Sequence, residues 1–283
     1  MFAPGLFVVL WSTGFIVARY GTQDAGPLTF LTIRTAIAAV VLFVISRVAR
    51  EARMPRNLVP VQIIVGTGIH AMYLGGVFIA INNGLPSGIS ALIAALHPVV
   101  TTVLSRLLLG EALTRRRLTG VFLGLVGVIA VVIERGGAGD GVTTAALIAM
   151  TVAVLGMSAG TLVQRRYAQG TPLLAGTAWQ YAATTAVLGV GVVGFEGWQF
   201  SVTARSMFSL AWAVGVLSLA AILIMLWLLR HHGAGHVSSL FFLTPALSTV
   251  EGAVLFGERL GGLSVVGLVV AIIGVWLATS QPT

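Results

Sequence analysis

Few residues of this 283-residue chain could bind or react with a dissolved molecule, and most of those lie inside long apolar runs. His70 and Tyr73 stand three apart, so on a helix they share a face. His97 precedes Pro98, and Thr244 precedes Pro245. Trp11, Ser12, Met157, Ser158 and Ser218 lie at similar depth in their own runs, and Gln180, close to the repeat position of Arg34, reads as a polar counterpart to it facing the same space. Imidazole, phenol, hydroxyl and amide groups beside an indole wall suit a small polar molecule with an aromatic or cationic part. The plainer reading of each residue is a helix–helix hydrogen bond worth about 1 kcal/mol. For His97 the adjoining proline strengthens that plainer reading.

Arg34 and Glu251 are the clear charges within apolar runs. An unpaired charge at depth is costly. Three readings are open: an ion pair between the two, an Arg34 that snorkels to the surface, or a coupling proton on Glu251. Catalysis has less support. There is no HExxH pair and no GxSxG around Ser12, Ser158 or Ser218, carboxylates are scarce within the runs, and no Gly-rich phosphate loop exists. No catalytic residue, metal or cofactor is therefore expected. An integral membrane enzyme is the less favoured rival, and a channel or scaffold the third reading.

Composition identifies the solvent. The chain is 57% apolar and 8% charged, with a mean hydropathy of +1.01. Soluble domains are about 25% charged. A chain this apolar is built for lipid. Its formal charge of +8 comes from sixteen Arg and no Lys, clustered between apolar runs, so no nucleic-acid partner is expected. The absence of Cys excludes disulfides and thiolate metal sites. The first apolar run has no basic flank before it and is too long for a signal peptide, so it reads as a span.

A spanning helix needs about 20 apolar residues. The runs give ten: 2–20, 27–47, 60–81, 87–109, 118–135, 143–164, 173–194, 206–230, 236–256 and 262–280. Pro27, Pro86 and Pro172 fall at span starts, and Thr114 is a candidate cap for the fifth. The fold class is an all-α integral membrane protein with short loops and no soluble domain. With the N-terminus in the cytoplasm, eleven Arg lie at cytoplasmic ends and four (Arg19, Arg135, Arg205, Arg259) at outer ends. The positive-inside rule then predicts both termini in the cytoplasm.

Two stretches repeat a phrase. "LLLGEALTRRR" starts at Leu107 and "VLFGERLGGLS" at Val254, 147 residues on. Aligned without gaps, 92–132 and 239–279 agree at eleven of 41 positions, including Pro98/Pro245, Gly110/Gly257, Glu111/Glu258, Leu113/Leu260, Gly120/Gly267 and Gly127/Gly274. Each half, 1–135 and 136–283, then holds five spans. Five is odd, so the second copy enters the membrane inverted, an arrangement characteristic of secondary transporters. Glu251 aligns with Leu104, so the repeat does not dictate its charge, whereas Gln180 lies close to the repeat position of Arg34.

The P…GExL…G…G pattern closing each half of a ten-span chain resembles the EamA branch of the drug/metabolite transporter superfamily, and within it the YddG-type amino acid exporters. The resemblance implies a ten-helix export carrier with a central cavity between the halves, in the bacterial inner membrane. It also implies a small-molecule substrate, an amino acid (aromatic or other neutral) or a similar metabolite, with cationic drugs as the alternative. A monomer is the expected assembly.

The remaining motifs divide between structure and mechanism. Each Gly-Glu reads as a helix turn, with Gly ending one helix and the carboxylate complementing the start of the next. Gly120, Gly124 and Gly127, matched by Gly267, Ala271 and Gly274, read as close packing inside the bundle, with a dimer seam as the alternative. Pro98 and Pro245 read equally as hinges for alternating access or as static bends.

Overall fold

Inside lipid the backbone has no water to bond, so each apolar run must satisfy its own amides, and a helix does this locally. The computed structural model describes residues 3–110, 114–137, 142–225, 227–228, 231, 240–258 and 261–279. Among these, ten helical rods match the ten runs: α1 (Ala3–Gly21), α2 (Pro27–Val48), α3 (Arg56–Asn82), α4 (Ser87–Leu109), α5 (Arg115–Gly137), α6 (Thr144–Tyr167), α7 (Leu173–Glu196), α8 (Ala204–Met225), α9 (Thr244–Phe256) and α10 (Gly262–Thr279). Eight are long and apolar enough to cross a membrane, and α10 contains a shorter apolar stretch. Glu111, Leu113, Arg230, Arg259 and Leu260 lie outside the described residues. Thr114 caps α5 as expected, accepting from Arg117 N at 3.3 Å.

The protein is an all-α membrane protein of two inverted five-helix repeats. Its packing follows that relation. α2 lies along α7, α4 against α9 and α5 along α10, so three helices meet their own counterparts. The α5–α10 contact is made by the small-residue stripes. A Cβ on Gly127 would lie 2.5 Å from both Ala271 N and Gly267 O, so the two backbones approach too closely for a side chain. These stripes therefore serve internal packing.

Carboxylates tie the halves together across the bundle. Glu51, after α2, accepts from Leu174 N (3.0 Å) and Ala175 N (2.8 Å) at the start of α7. Glu196, closing α7, accepts from Leu28 N (2.9 Å) and Thr29 N (2.7 Å) at the start of α2. Glu134 on α5 accepts from Leu263 N (3.1 Å) and Ser264 N (2.7 Å) of α10. Glu258, after α9, accepts from Ser87 N at 2.9 Å and Gly88 N at 3.3 Å, and pairs with Arg19. Each thus satisfies amides that a helix start leaves orphaned. This refines the Gly-Glu reading: Glu258 holds the start of α4 in the other half, not the start of its own next helix. Gly257 ends α9 with φ +66, and Gly110 ends α4 with φ +70, the left-handed turn that glycine adopts without strain.

Four rods depart from regular helix near the molecular centre. α3 contains a π-segment, Thr67–Met72, and α8 another, Ala213–Ala220, at matching repeat positions. α4 breaks after Ala94 and restarts at His97. α9 is entered through a 3₁₀ turn, Phe241–Leu243, so Pro98 and Pro245 each sit in the first turn of a renewed helix. There the missing N–H matters least.

Candidate functional site

The irregular segments surround two adjoining cavities on the line between the halves. The first, of about 90 Å³, is bounded by Arg34 (α2), His70 and Tyr73 (α3), Trp11 and Phe15 (α1), Met157 (α6), Tyr181 (α7) and Leu217 (α8), among others. The second, about 30 Å³, is bounded by His97 (α4), Phe241, and Thr244 and Pro245 (α9). Trp11, Phe15, Tyr73 and Met157 line both and form the partition between them. Trp11 is held edge-on to Phe241, with ring centroids 5.1 Å apart. Residues related by the 147-residue offset meet here: Arg34 with Tyr181 and His70 with Leu217 at the first cavity, His97 with Thr244 at the second.

Arg34 is 5% exposed. Its Nε donates to Ser218 Oγ at 3.0 Å, and Tyr181 shares the wall of the same cavity. Glu251 bonds Ser12 instead, with 2.6 Å between Oε1 and the hydroxyl. The Arg34–Glu251 ion pair read from the sequence does not form, because each group meets hydroxyl partners on its own neighbouring helices. Nor does Arg34 snorkel to the surface.

His70 is fixed from behind. Its Nε2 lies 3.1 Å from Gln180 Oε1, Gln180 Nε2 donates to Gln62 Oε1 at 2.6 Å, and Gln62 Nε2 donates to Thr171 Oγ1 at 3.1 Å. Thr171 Oγ1 in turn donates to Ala168 O at 2.7 Å. With the amides so assigned, the donors all point one way, which puts the His70 proton on Nε2 and leaves Nδ1 an acceptor. The ring also packs on Tyr181, centroids 4.6 Å apart.

His97 has a structural bond as well as a cavity position. Its Nδ1 lies 3.2 Å from Ala94 O, the carbonyl whose helical donor Pro98 removes. Ser158 Oγ donates to His97 O at 2.9 Å.

Ser12, Ser158 and Ser218, expected at the cavity from their depth, and Gln180, expected there from its repeat position, line neither cavity. Their polar atoms bind other helices behind the walls. Pro98 likewise lines neither cavity. Tyr181 and Phe15 went unremarked in the sequence. For Tyr181 a signal existed: it stands 147 residues after Arg34, whereas Gln180 is one residue off that register. Nothing in the sequence marks Phe15.

Known proteins match this architecture along its length. The family model described as the EamA-like transporter family matches twice, over residues 5–133 and 144–280. A Salmonella typhimurium protein named "Probable amino-acid metabolite efflux pump" is 24% identical, covering 96% of this chain and 92% of its own length. The Escherichia coli "Uncharacterized inner membrane transporter YedA" is 24% identical over 96% of this chain and 87% of its own. "Uncharacterized transporter YvbV" of Bacillus subtilis is 24% identical, covering 97% and 89%. A crystal structure with 22% identity superposes with a TM-score of 0.68, covering 98% of this chain and 95% of the other, which supports the fold. The chain belongs to the EamA-like transporter family, and is a multi-pass membrane transporter.

Proposed function

We propose that this transporter exports amino acids with aromatic or other neutral side chains across the bacterial inner membrane, both termini lying in the cytoplasm. The observation that carries the substrate reading is Arg34, a buried guanidinium on the wall of a cavity otherwise made largely of aromatic and apolar side chains. A fixed cation binds a carboxylate, and the surrounding rings take an apolar side chain. The His70 Nδ1 lone pair is an acceptor for an ammonium group. Two relatives bear the name "Probable amino-acid metabolite efflux pump". An organic cation fits less well: no Asp or Glu is among the residues lining either cavity.

The first cavity measures about 90 Å³, against roughly 300–1,000 Å³ for ordinary ligand pockets. A bound amino acid therefore requires the walls to part. We take the halves 1–135 and 136–283 as the bodies that move, with substrate reached from one side at a time. The breaks at Pro98 and Pro245 supply bends beside the second cavity.

Counterflow in proteoliposomes loaded with amino acids, sugars or organic cations tests this. Phenylalanine, leucine or another neutral amino acid should exchange, and Arg34→Gln should raise its apparent KM by about 10- to 100-fold, the equivalent of ~1.5–3 kcal/mol for a charged hydrogen bond. His70→Ala and Tyr73→Ala should reduce exchange more than they reduce the amount of folded protein. Exchange of organic cations with none of the amino acids would overturn the proposal.

A further inference from the structure

Among the described residues, two buried side-chain oxygens have no hydrogen-bond partner, Thr244 Oγ1 and Glu251 Oε2. Both are on α9. They stand seven residues apart with Ser248 between them, so Thr244, Ser248 and Glu251 form one stripe on a helical face. The stripe meets α1: Ser248 Oγ donates to Ser12 O at 3.1 Å, and Glu251 Oε1 approaches Ser12 Oγ to 2.6 Å. Its other end, Thr244, is on the wall of the second cavity. A polar track thus runs from the cavity to a carboxyl that the substrate reading does not use.

Proton counting at Ser12 identifies the state of that carboxyl. The Ser12 hydroxyl has one hydrogen and two close oxygens, Val9 O at 2.9 Å and Glu251 Oε1 at 2.6 Å. The Val9 carbonyl can only accept. If Glu251 is ionised, it too can only accept, and one of the two contacts brings together oxygens with no proton between them. If Glu251 carries a proton on Oε1, it donates to Ser12, Ser12 donates to Val9 O, and both contacts are satisfied.

The charged and titratable neighbours do not alter this. Against α9 pack α1 and α4, with α10 and α5 behind them. α1 offers Arg19 and Tyr20, and Arg19 is paired with Glu258. α4 offers His97, bonded to Ala94 O, and Arg106 near its end. α10 has no ionisable residue, and α5 has Arg115, Arg116, Arg117, Glu134 and Arg135 near its ends. Ser12 is the only hydrogen-bond partner found for Glu251 among the described residues.

We infer that Glu251 is a proton-binding site of the transport cycle, protonated while α1 and α9 are in contact and deprotonated when they separate. This rests on the carrier reading above. The proton leaves Oε1 for water that enters along the Thr244–Ser248 stripe, and the carboxylate stays hydrated until a proton returns and the seam recloses. Protonation favours the closed seam because only the acid puts a proton in each of the two Ser12 contacts, and a differential affinity of this kind is what lets a ligand shift a conformational equilibrium.

Two measurements on the full chain reconstituted in liposomes test the inference. The infrared difference spectrum between wild type and Glu251→Gln at neutral pH should contain a carboxylic-acid carbonyl band, shifted in Ser12→Ala as its hydrogen-bond partner is lost. A spectrum with carboxylate bands alone, or a band indifferent to Ser12→Ala, overturns the inference. This arm needs no substrate, so it remains decisive if the amino-acid panel fails. With a transported substrate in hand, an imposed pH gradient should change net wild-type flux several-fold. Glu251→Gln, whose amide can still donate to Ser12, should keep exchange but lose the response. Wild-type flux that ignores the gradient refutes proton coupling through this site.

Discussion

Glu251 and Glu258 are seven residues apart and do opposite work. Glu258 faces two backbone amides and Arg19, so it accepts charge-assisted hydrogen bonds that hold a helix start in place. Glu258→Gln should therefore lower thermal stability, by about 1.5–3 kcal/mol for the charged hydrogen bonds weakened. Substrate affinity and the pH response of transport should be unchanged. Melting in detergent and counterflow at several pH values check this, and a Glu258→Gln protein with normal melting but altered pH response would make the turn a coupling site. The sequence located both glutamates but not their partners. A helix that is apolar all round has no polar face to fix its rotation in the bundle. Depth along the run was legible, and so was the reach of Tyr73 and His70 on one face. The direction of a lone Ser or Gln is not legible, and the polar atoms of Ser12, Ser158, Gln180 and Ser218 bind other helices instead of facing the cavity. Arg34 is recognisable in the sequence as an expensive charge, but its Ser218 partner lies 184 residues away in the chain.

At the scale of elements, the helices carry their irregularities where the halves meet. Proline announces two of them in the sequence. The π-segments have no such marker: Thr67–Met72 and Ala213–Ala220 correspond by position, yet share only Gly68 and Gly215 as identical residues. Such bulges recur at functional sites because the extra residue redirects side chains, and here they place His70 and Leu217 on one cavity. The glycine stripes were easier to read, since small residues at one-turn spacing have one main use in lipid. Their packing gives a test. Gly127→Ala introduces a methyl 2.5 Å from Ala271 N and Gly267 O, so α5 and α10 must move apart. Overpacking of this kind costs about 1–3 kcal/mol. The variant should melt at a lower temperature than wild type, whereas Gly5→Ala, with open space around it, should not. If Gly127→Ala melts like Gly5→Ala, the seam is looser than its backbone distances require.

For the whole molecule, the repeat explains why acidic residues appear where they do. Glu51 and Glu196 each cap the other half's second helix, and this exchange is what a two-fold relation between the halves demands. A single copy would leave those helix starts without their carboxylates, so we expect neither half to be stable alone. The same relation forces opposite orientations in the membrane, and only an asymmetry of charge can decide which way the pair sits. Arg supplies that asymmetry. The first turn of α5, Arg115 to Arg117, lies on the Arg-rich side, and the segment around Val202 on the opposite side. Both Arg115 and Val202 are exposed, and the chain has no Cys of its own. Arg115→Cys and Val202→Cys, made singly, give two labelling positions on opposite faces. A membrane-impermeant maleimide applied to intact cells should modify the Cys at 202 and reach the Cys at 115 only after permeabilisation. The expectation follows from the positive-inside rule, since eleven Arg against four bias insertion while the few acidic residues contribute little. Labelling at 115 from outside intact cells, with 202 protected, would invert the topology. Glu258 and Glu196 would then face the cytoplasm, while the contacts described here would be unchanged.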